Sequence, residues 1–219
     1  MHTQSMRSGH RSKLSRIIEV NWVASQVKLE RMKIPEVRAI LPPEFGDARG
    51  AFSETYSRRT FSELGVTCEF VQDNQSLSST KGTIRGLHFQ IPPAAQTKLV
   101  RVLRGSVLDV AVDLRRRSPS FGHHVAQILS EQNRMQLLVP EGFAHGFCTL
   151  EDDTIVLYKV SSYYSPSHER GLRWNDPALG IDWGVASDAA LIAARDRDFP
   201  VLRELPALFT YPNDGAQKT

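Results

Sequence analysis

Three polar side chains interrupt runs that otherwise read as apolar strands. His88 stands in T-I-R-G-L-H-F-Q (83–90), Lys98 opens K-L-V-R-V-L, and Tyr158 lies within T-I-V-L-Y-K-V. A plain core strand would carry Val or Ile at such positions. An imidazole can take a proton near neutral pH, an ammonium can hold negative charge developing on oxygen, and a phenol can return a proton. Together they suit proton abstraction beside a carbonyl. Singly each has a structural reading: a hydrogen-bonded histidine, a solvated strand end, a packed tyrosine with its hydroxyl at the surface. Gly86, two residues before His88, marks either a bulge or a place where a ligand approaches the backbone.

The elements that must position these groups are strands. Alternate residues of a strand face opposite sides, and in a barrel one parity faces inward. His88 shares its parity with Ile84 and Gly86, Lys98 with Val100 and Val102, and Tyr158 with Val156, Val160 and, if the strand continues, Tyr164. If these parities face inward, the imidazole, the ammonium and the phenols meet in one barrel mouth. L-V-R-V-L is apolar on both parities, so periodicity leaves the direction open. From residue 33 to about 165 many short strand-like runs alternate with turn signals, the pattern of an all-β sandwich or barrel. K-L-V-R-V-L, R-G-S and V-L-D-V-A-V-D-L predict a hairpin. Helical patterning is confined to T-F-S-E-L near residue 60 and D-A-A-L-I-A-A-R near residue 190.

A chain of 219 residues, 41% hydrophobic and 23% charged, forms one buried core without needing two domains. No apolar run approaches the roughly 20 residues of a membrane span, and the start lacks a secretory-signal pattern. Cys68 and Cys148 read as two thiols buried in a reducing cytoplasm rather than a disulfide or a metal pair. The net charge of +3 is misleading about partners. Residues 1–33 hold seven basic side chains against Glu19 and Glu30, a local +5 that leaves the remainder at −2. The globular part therefore carries no broad field for nucleic acid. Residues 1–32 read as a basic, poorly ordered extension, apart from an amphipathic piece near I-I-E-V-N-W-V. Met32 is a candidate natural start, and the Arg-rich leader is a transit-peptide pattern that Glu19 and Glu30 weaken. Residues 33–205 read as the folded domain and 206–219 as a C-terminal tail.

V-P-E-G-F-A-H-G-F adds Pro140, Gly142, His145 and Gly146. Its P-x-G-x-x-H resembles the second signature of the cupin superfamily, small jelly-roll barrels in which that histidine often binds a metal. The first signature requires H-x-H followed by a glutamate, but H-F-Q-I-P has Gln90 in place of the second histidine. The ligand count argues against a divalent site.

R-G-L-H-F-Q, Q-x-K-L-V-R-V, G-S-V-L-D-V-A-V-D-L-R, S-P-S-F-G, V-P-E-G-F-A-H-G-F, L-Y-K-V-S-S-Y-Y-S-P and W-N-D-P-A-L-G-I-D-W follow one another in order. From about residue 34 to 202 the chain resembles the dTDP-4-dehydrorhamnose 3,5-epimerases. The resemblance implies a cupin-type jelly roll, a cytoplasmic homodimer with exchanged N-terminal strands, and no metal or other cofactor. It implies inversion of C3 and C5 of dTDP-4-dehydro-6-deoxy-D-glucose, either side of the C4 ketone, with no nucleic-acid or membrane partner. His88 matches the family's base, Asp196 the carboxylate that orients it, Lys98 the group that stabilises the enolate oxygen, and Tyr158 the acid. Arg49 and Glu54 match binding positions in the exchanged strands. Gln72, Asp73 and Asn74 match the nucleotide-contacting stretch, and Arg85 beside Gly86, which leaves room, a contact with the diphosphate. His145, Glu169 and Arg195 match further binding positions, and Tyr164 the aromatic that stacks on thymine. Two departures stand out: Gly184 follows Trp183 where proline is common, and the stretch to Asp196 is one residue longer than is usual in the family, which makes Asp198 the alternative partner of His88. The rival readings are an epimerase acting at C3 or C5 alone, a sugar-nucleotide-binding cupin without catalysis, and, for want of ligands least favoured, a metal-dependent dioxygenase.

Overall fold

The structure, a computed structural model, describes residues 27–211. Its strands are β1 (Lys28–Arg31), β2 (Arg38–Leu41), β3 (Phe45–Asp47), β4 (Gly50–Phe52), β5 (Gln72–Ser78), β6 (Thr83–Gln90), β7 (Lys98–Arg104), β8 (Ser106–Asp113), β9 (Arg115–Arg116), β10 (His124–Ser130), β11 (Gln136–Val139), β12 (Phe143–Thr149), β13 (Thr154–Val160), β14 (Glu169–Gly171), β15 (Leu191–Ile192) and β16 (Phe209–Thr210). Two short helices, α1 (Arg58–Glu63) and α2 (Ala194–Arg197), complete the main elements. One sheet has the order β1-β2-β11-β7-β13-β5. The other runs β10-β8-β12-β6-β14, with β15 added in parallel to β6. The fold is a jelly roll of the cupin type.

Three apolar clusters explain why the strands do not alternate cleanly. The first lies between the sheets and joins Val100, Val102 and Val156 to Val107, Leu129, Phe143 and Phe147. The second covers the outer face of the second sheet, where Ile84, Leu87, Phe89, Val110 and Cys148 meet Leu172, Trp174, Trp183 and Ile192. The third covers the outer face of the first sheet, with Ile40, Leu99 and Leu138 beneath Phe61 and Val66. Strands apolar on both faces are strands buried on both faces. Each fully buried Leu, Val or Phe contributes about 1.5–3 kcal/mol.

Several sequence expectations change here. K-L-V-R-V-L and V-L-D-V-A-V-D-L are not a hairpin: β7 pairs with β11 and β13, while β8 pairs with β10 and β12. Gly105, at φ +76°, turns the chain from one sheet to the other, because both runs need partners on both edges. D-A-A-L-I-A-A-R is mostly not helical. Leu191 and Ile192 pair with β6, and only the last turn is helix. Lys28–Arg31, within the span read as an extension, pair with β2, and Phe209–Thr210, within the span read as a tail, pair with β9. The amphipathic stretch I-I-E-V-N-W-V lies outside the described residues. Cys148 is buried at 0% exposure in a strand, but Cys68 is half-buried in a loop, and both thiols are free.

Candidate active site

Between the sheets opens a cavity of about 620 Å³, and its wall is built from both. The second sheet contributes Arg85 and His88 from β6, His145 from β12 and Glu169 from β14; the first contributes Ser76, Lys98 and Tyr158 from β5, β7 and β13. Tyr164, Arg195 and Asp196 close one side.

The parity that brings Arg85 and His88 to the same cavity differs from simple alternation. His145 pairs with His88 and Phe147 with Arg85, so two steps on β12 oppose three on β6. The extra residue is a bulge at Gly86 and Leu87, and it throws Ile84 and Leu87 onto one face and Arg85 and His88 onto the other. The expected grouping of His88 with Ile84 and Gly86 is thereby corrected. Gly86 has φ +130°, and a Cβ there would lie 2.6 Å from Gly146 Cα. In turn, a Cβ on Gly146 would lie 2.7 Å from the Arg85 carbonyl oxygen. Gly86 therefore leaves room for the facing strand rather than for a ligand.

The bulge also frees a donor. The Gly86 N–H donates to Asp196 Oδ2 at 3.1 Å, while His88 Nε2 lies 2.9 Å from Asp196 Oδ1. Burial would raise the Asp196 carboxyl, but the hydrogen bond and charge of His88, the Gly86 N–H and the charge of Arg195 hold it below the usual range. Phe199 packs its ring edge-on to His88 at 5.7 Å and fills the space above Gly171, where a Cβ would clash with the ring at 2.2 Å. With Nε2 engaged, Nδ1 is the ring nitrogen left without a hydrogen bond among the described residues and can take a proton.

On the opposite wall Lys98 is 8% exposed and donates from Nζ to the His88 carbonyl at 3.3 Å. Desolvation lowers its pKa to about 8, against the pull of Asp109 and Glu169. Burial raises the Tyr158 phenol, so it keeps its proton at neutral pH. His145 Nε2 lies 2.8 Å from Oδ1 of Asp109, a carboxylate at 0% exposure. Among the described residues no group of three or more His, Cys, Asp or Glu could hold a metal ion.

A family model described as dTDP-4-dehydrorhamnose 3,5-epimerase matches residues 31–204. The chain belongs to that family. A dTDP-4-dehydrorhamnose 3,5-epimerase from Sinorhizobium fredii (strain NBRC 101917 / NGR234) is 48% identical over 186 residues, 85% of this chain and 95% of the relative. The Bacillus anthracis dTDP-4-dehydrorhamnose 3,5-epimerase structure with TDP and PPi bound is 50% identical, with TM-score 0.77 over 80% of this chain and 99% of its own. A Legionella pneumophila dTDP-6-deoxy-D-glucose-3,5-epimerase in complex with dTDP-4-keto-L-rhamnose is 40% identical, with TM-score 0.81 over 85% and 100%.

Most residues expected from the dTDP-4-dehydrorhamnose 3,5-epimerase pattern gather at this cleft, and three do not. Gln72 and Asn74 line an adjoining space of about 310 Å³ with Gln90, Gln96 and Tyr164. Tyr164 donates its hydroxyl to Glu169 at 2.8 Å, and Arg195 Nη1 donates to the same oxygen at 2.9 Å. Asp73, between Gln72 and Asn74, faces the other way and pairs with Lys159 at 2.9 Å, as the alternation of β5 requires. Arg49 sits at the turn between β3 and β4, 89% exposed, and pairs with Asp47 rather than facing the cavity of its own chain. Glu54 accepts from Thr60 at 3.5 Å, also away from that cavity. Asp198, the alternative carboxylate, caps the C-terminus of α2. Sequence reading missed Asp109 and Phe199. The signal for Asp109 was present: D-V-A-V-D is a doubly buried strand carrying two carboxylates, and a buried charge needs a partner.

Proposed function

We propose that this chain inverts C3 and C5 of dTDP-4-dehydro-6-deoxy-D-glucose to give dTDP-4-dehydro-L-rhamnose, with His88 as base and Tyr158 as acid. The observation that carries this reading is the origin of the groups: the His88–Asp196 pair belongs to one sheet and its cover, Lys98 and Tyr158 to the sheet opposite. Inversion needs a base and an acid on opposite faces of the sugar. In an all-equatorial hexose the axial hydrogens at C3 and C5 project from one face, so one base serves both carbons in turn. His88 Nδ1 takes the proton, the C–H electrons move to the C4 oxygen, and Lys98 donates to that oxyanion. The Tyr158 hydroxyl then gives a proton to carbon from the other face, and solvent restores both groups. The reaction exchanges protons and no net electrons. A preorganised donor such as Lys98 contributes about 3 kcal/mol to the transition state.

Three finer readings belong to the same proposal. The protein works as a homodimer in which the β3–β4 hairpin, with Arg49, and the following Glu54 serve the partner's cavity. The exposure of Arg49 and of Phe52 (55%) supports this. The enzyme works in the cytoplasm, for which the free thiols Cys68 and Cys148 are the support. Arg85 and Tyr164 hold the diphosphate and the thymine ring.

Incubation with dTDP-4-dehydro-6-deoxyglucose in D₂O tests the chemistry. Deuterium should enter at C3 and C5 and be lost in His88→Asn. In Tyr158→Phe it should enter without inversion, since the base alone exchanges protons on its own face. Label at one carbon in the wild type would instead make the protein a single-site epimerase. Absence of label with substrate bound would leave only a binding protein.

A further inference from the structure

The inward positions of β5 are polar throughout: Gln72, Asn74, Ser76 and Ser78. Three of them have partners. Gln72 Nε2 donates to Asn74 Oδ1 at 2.8 Å, and Ser78 Oγ accepts from Arg85 Nε at 3.1 Å. Ser76 does not: its Oγ is shielded from solvent and has no hydrogen-bond partner among the described residues, although the residue lines the catalytic cavity beside Arg85. A buried hydroxyl without a partner destabilises the protein that carries it. At a strand position facing Val156, Ala or Val would fill the space without that cost.

Arg85 is the neighbour that gives the hydroxyl a meaning. Its Nε and Nη2 are tied to β5 through Ser78 Oγ and the Leu77 carbonyl, both at 3.1 Å. Nη1 makes no bond among the described residues and stays available to a ligand. Ser76 and Ser78 are successive inward positions, about 7 Å apart along the strand. A tetrahedral phosphoryl group with its hydrogen bonds spans such a gap. We propose that Ser76 Oγ and Arg85 Nη1 form a two-donor site for one phosphoryl group of the substrate's diphosphate. The hydroxyl turns between staggered χ1 wells to meet the incoming oxygen. A neutral donor also suits the position: the charge of Arg85 already favours ionisation of Tyr158, and a second cation would push the phenol further that way. The proposal rests on the reading of a diphosphate-bearing substrate and adds Ser76 to its binding residues.

Calorimetric titration of wild type and Ser76→Ala with dTDP, inorganic diphosphate and thymidine tests it. Affinity for dTDP and diphosphate should fall about 10- to 100-fold, the range for one hydrogen bond to a charged group, with thymidine unchanged. KM for the sugar nucleotide should rise in step while kcat holds, because the contact is uniform in ground and transition states. The ligand-free variant should melt at the same temperature or higher, since it loses an unpaired hydroxyl. Unchanged dTDP affinity, an equal loss for thymidine, or a lower melting temperature each overturns the assignment. A wild type that binds no dTDP at all would instead refute the substrate reading itself.

Discussion

Lys98 lets function and stability be pulled apart in one substitution. Burial lowers its pKa from 10.5 to about 8, so folding an ammonium into this site costs about 3 kcal/mol at neutral pH, at about 1.4 kcal/mol per pKa unit. The unfolded chain holds this proton more tightly than the folded one. Between pH 8 and 10.5 it therefore binds more protons, and this group's contribution to stability rises with pH across that window. Below pH 8 the full penalty stands. Lys98→Met removes the charge while roughly preserving volume, and forfeits the bond to the His88 carbonyl, worth about 1 kcal/mol. The variant should be more stable than wild type by about 2 kcal/mol at pH 7, an advantage that should fall to near zero by pH 9.5 as wild-type Lys98 loses its proton. Urea unfolding of both proteins at the two pH values measures it. Turnover should drop about 10²- to 10³-fold, as when an oxyanion donor is removed. Wild-type turnover should itself decline above pH 8, as the ammonium is lost. A Met variant less stable at pH 7, or a difference that ignores pH, would refute the reasoning, because the ammonium would then be well solvated.

Asp196→Asn should lower kcat at least about 10²-fold with little change in KM, whereas Asp198→Asn should leave both near wild type. Steady-state kinetics on the two variants decides which carboxylate serves His88. Gly146→Ala sets a Cβ 2.7 Å from the Arg85 carbonyl oxygen, so calorimetry should show a loss of about 1–3 kcal/mol, with turnover falling too as the bulge moves off Asp196. Arg49→Ala and His88→Asn, each poorly active alone, should regain about a quarter of wild-type activity when unfolded and refolded together, since each hybrid of the proposed homodimer would hold one intact cavity. No regain would mean that Arg49 does not serve the cavity of a second copy of the chain.

The β-rich architecture was legible because turn residues punctuate short runs regularly, and that signal survives whatever the strands face. Which run pairs with which was not. R-G-S between β7 and β8 has hairpin chemistry, yet both strands are buried on both faces and find better partners in opposite sheets. The polar interruptions His88, Lys98 and Tyr158 were visible as exceptions to an apolar pattern. Their convergence was not, because the bulge at Gly86 shifts the parity of β6, and only the pairing of His145 and Phe147 reveals the extra residue. Asp196 could be read only by resemblance, since no local pattern ties a residue in a short helix to one 108 positions earlier.

That separation has a consequence for how the molecule loses activity. The carboxylate of the dyad rides on the segment that caps the outer face of the second sheet, anchored near Asp196 by the two-residue β15 and the four-residue α2. Short, lightly paired segments open locally at free energies well below that of the whole fold. On warming, the cap should lift while both sheets remain intact, leaving the imidazole without its carboxylate. Catalysis should then fade before the β-sheet signal does, and turnover would serve as a thermometer for the docking of the cap.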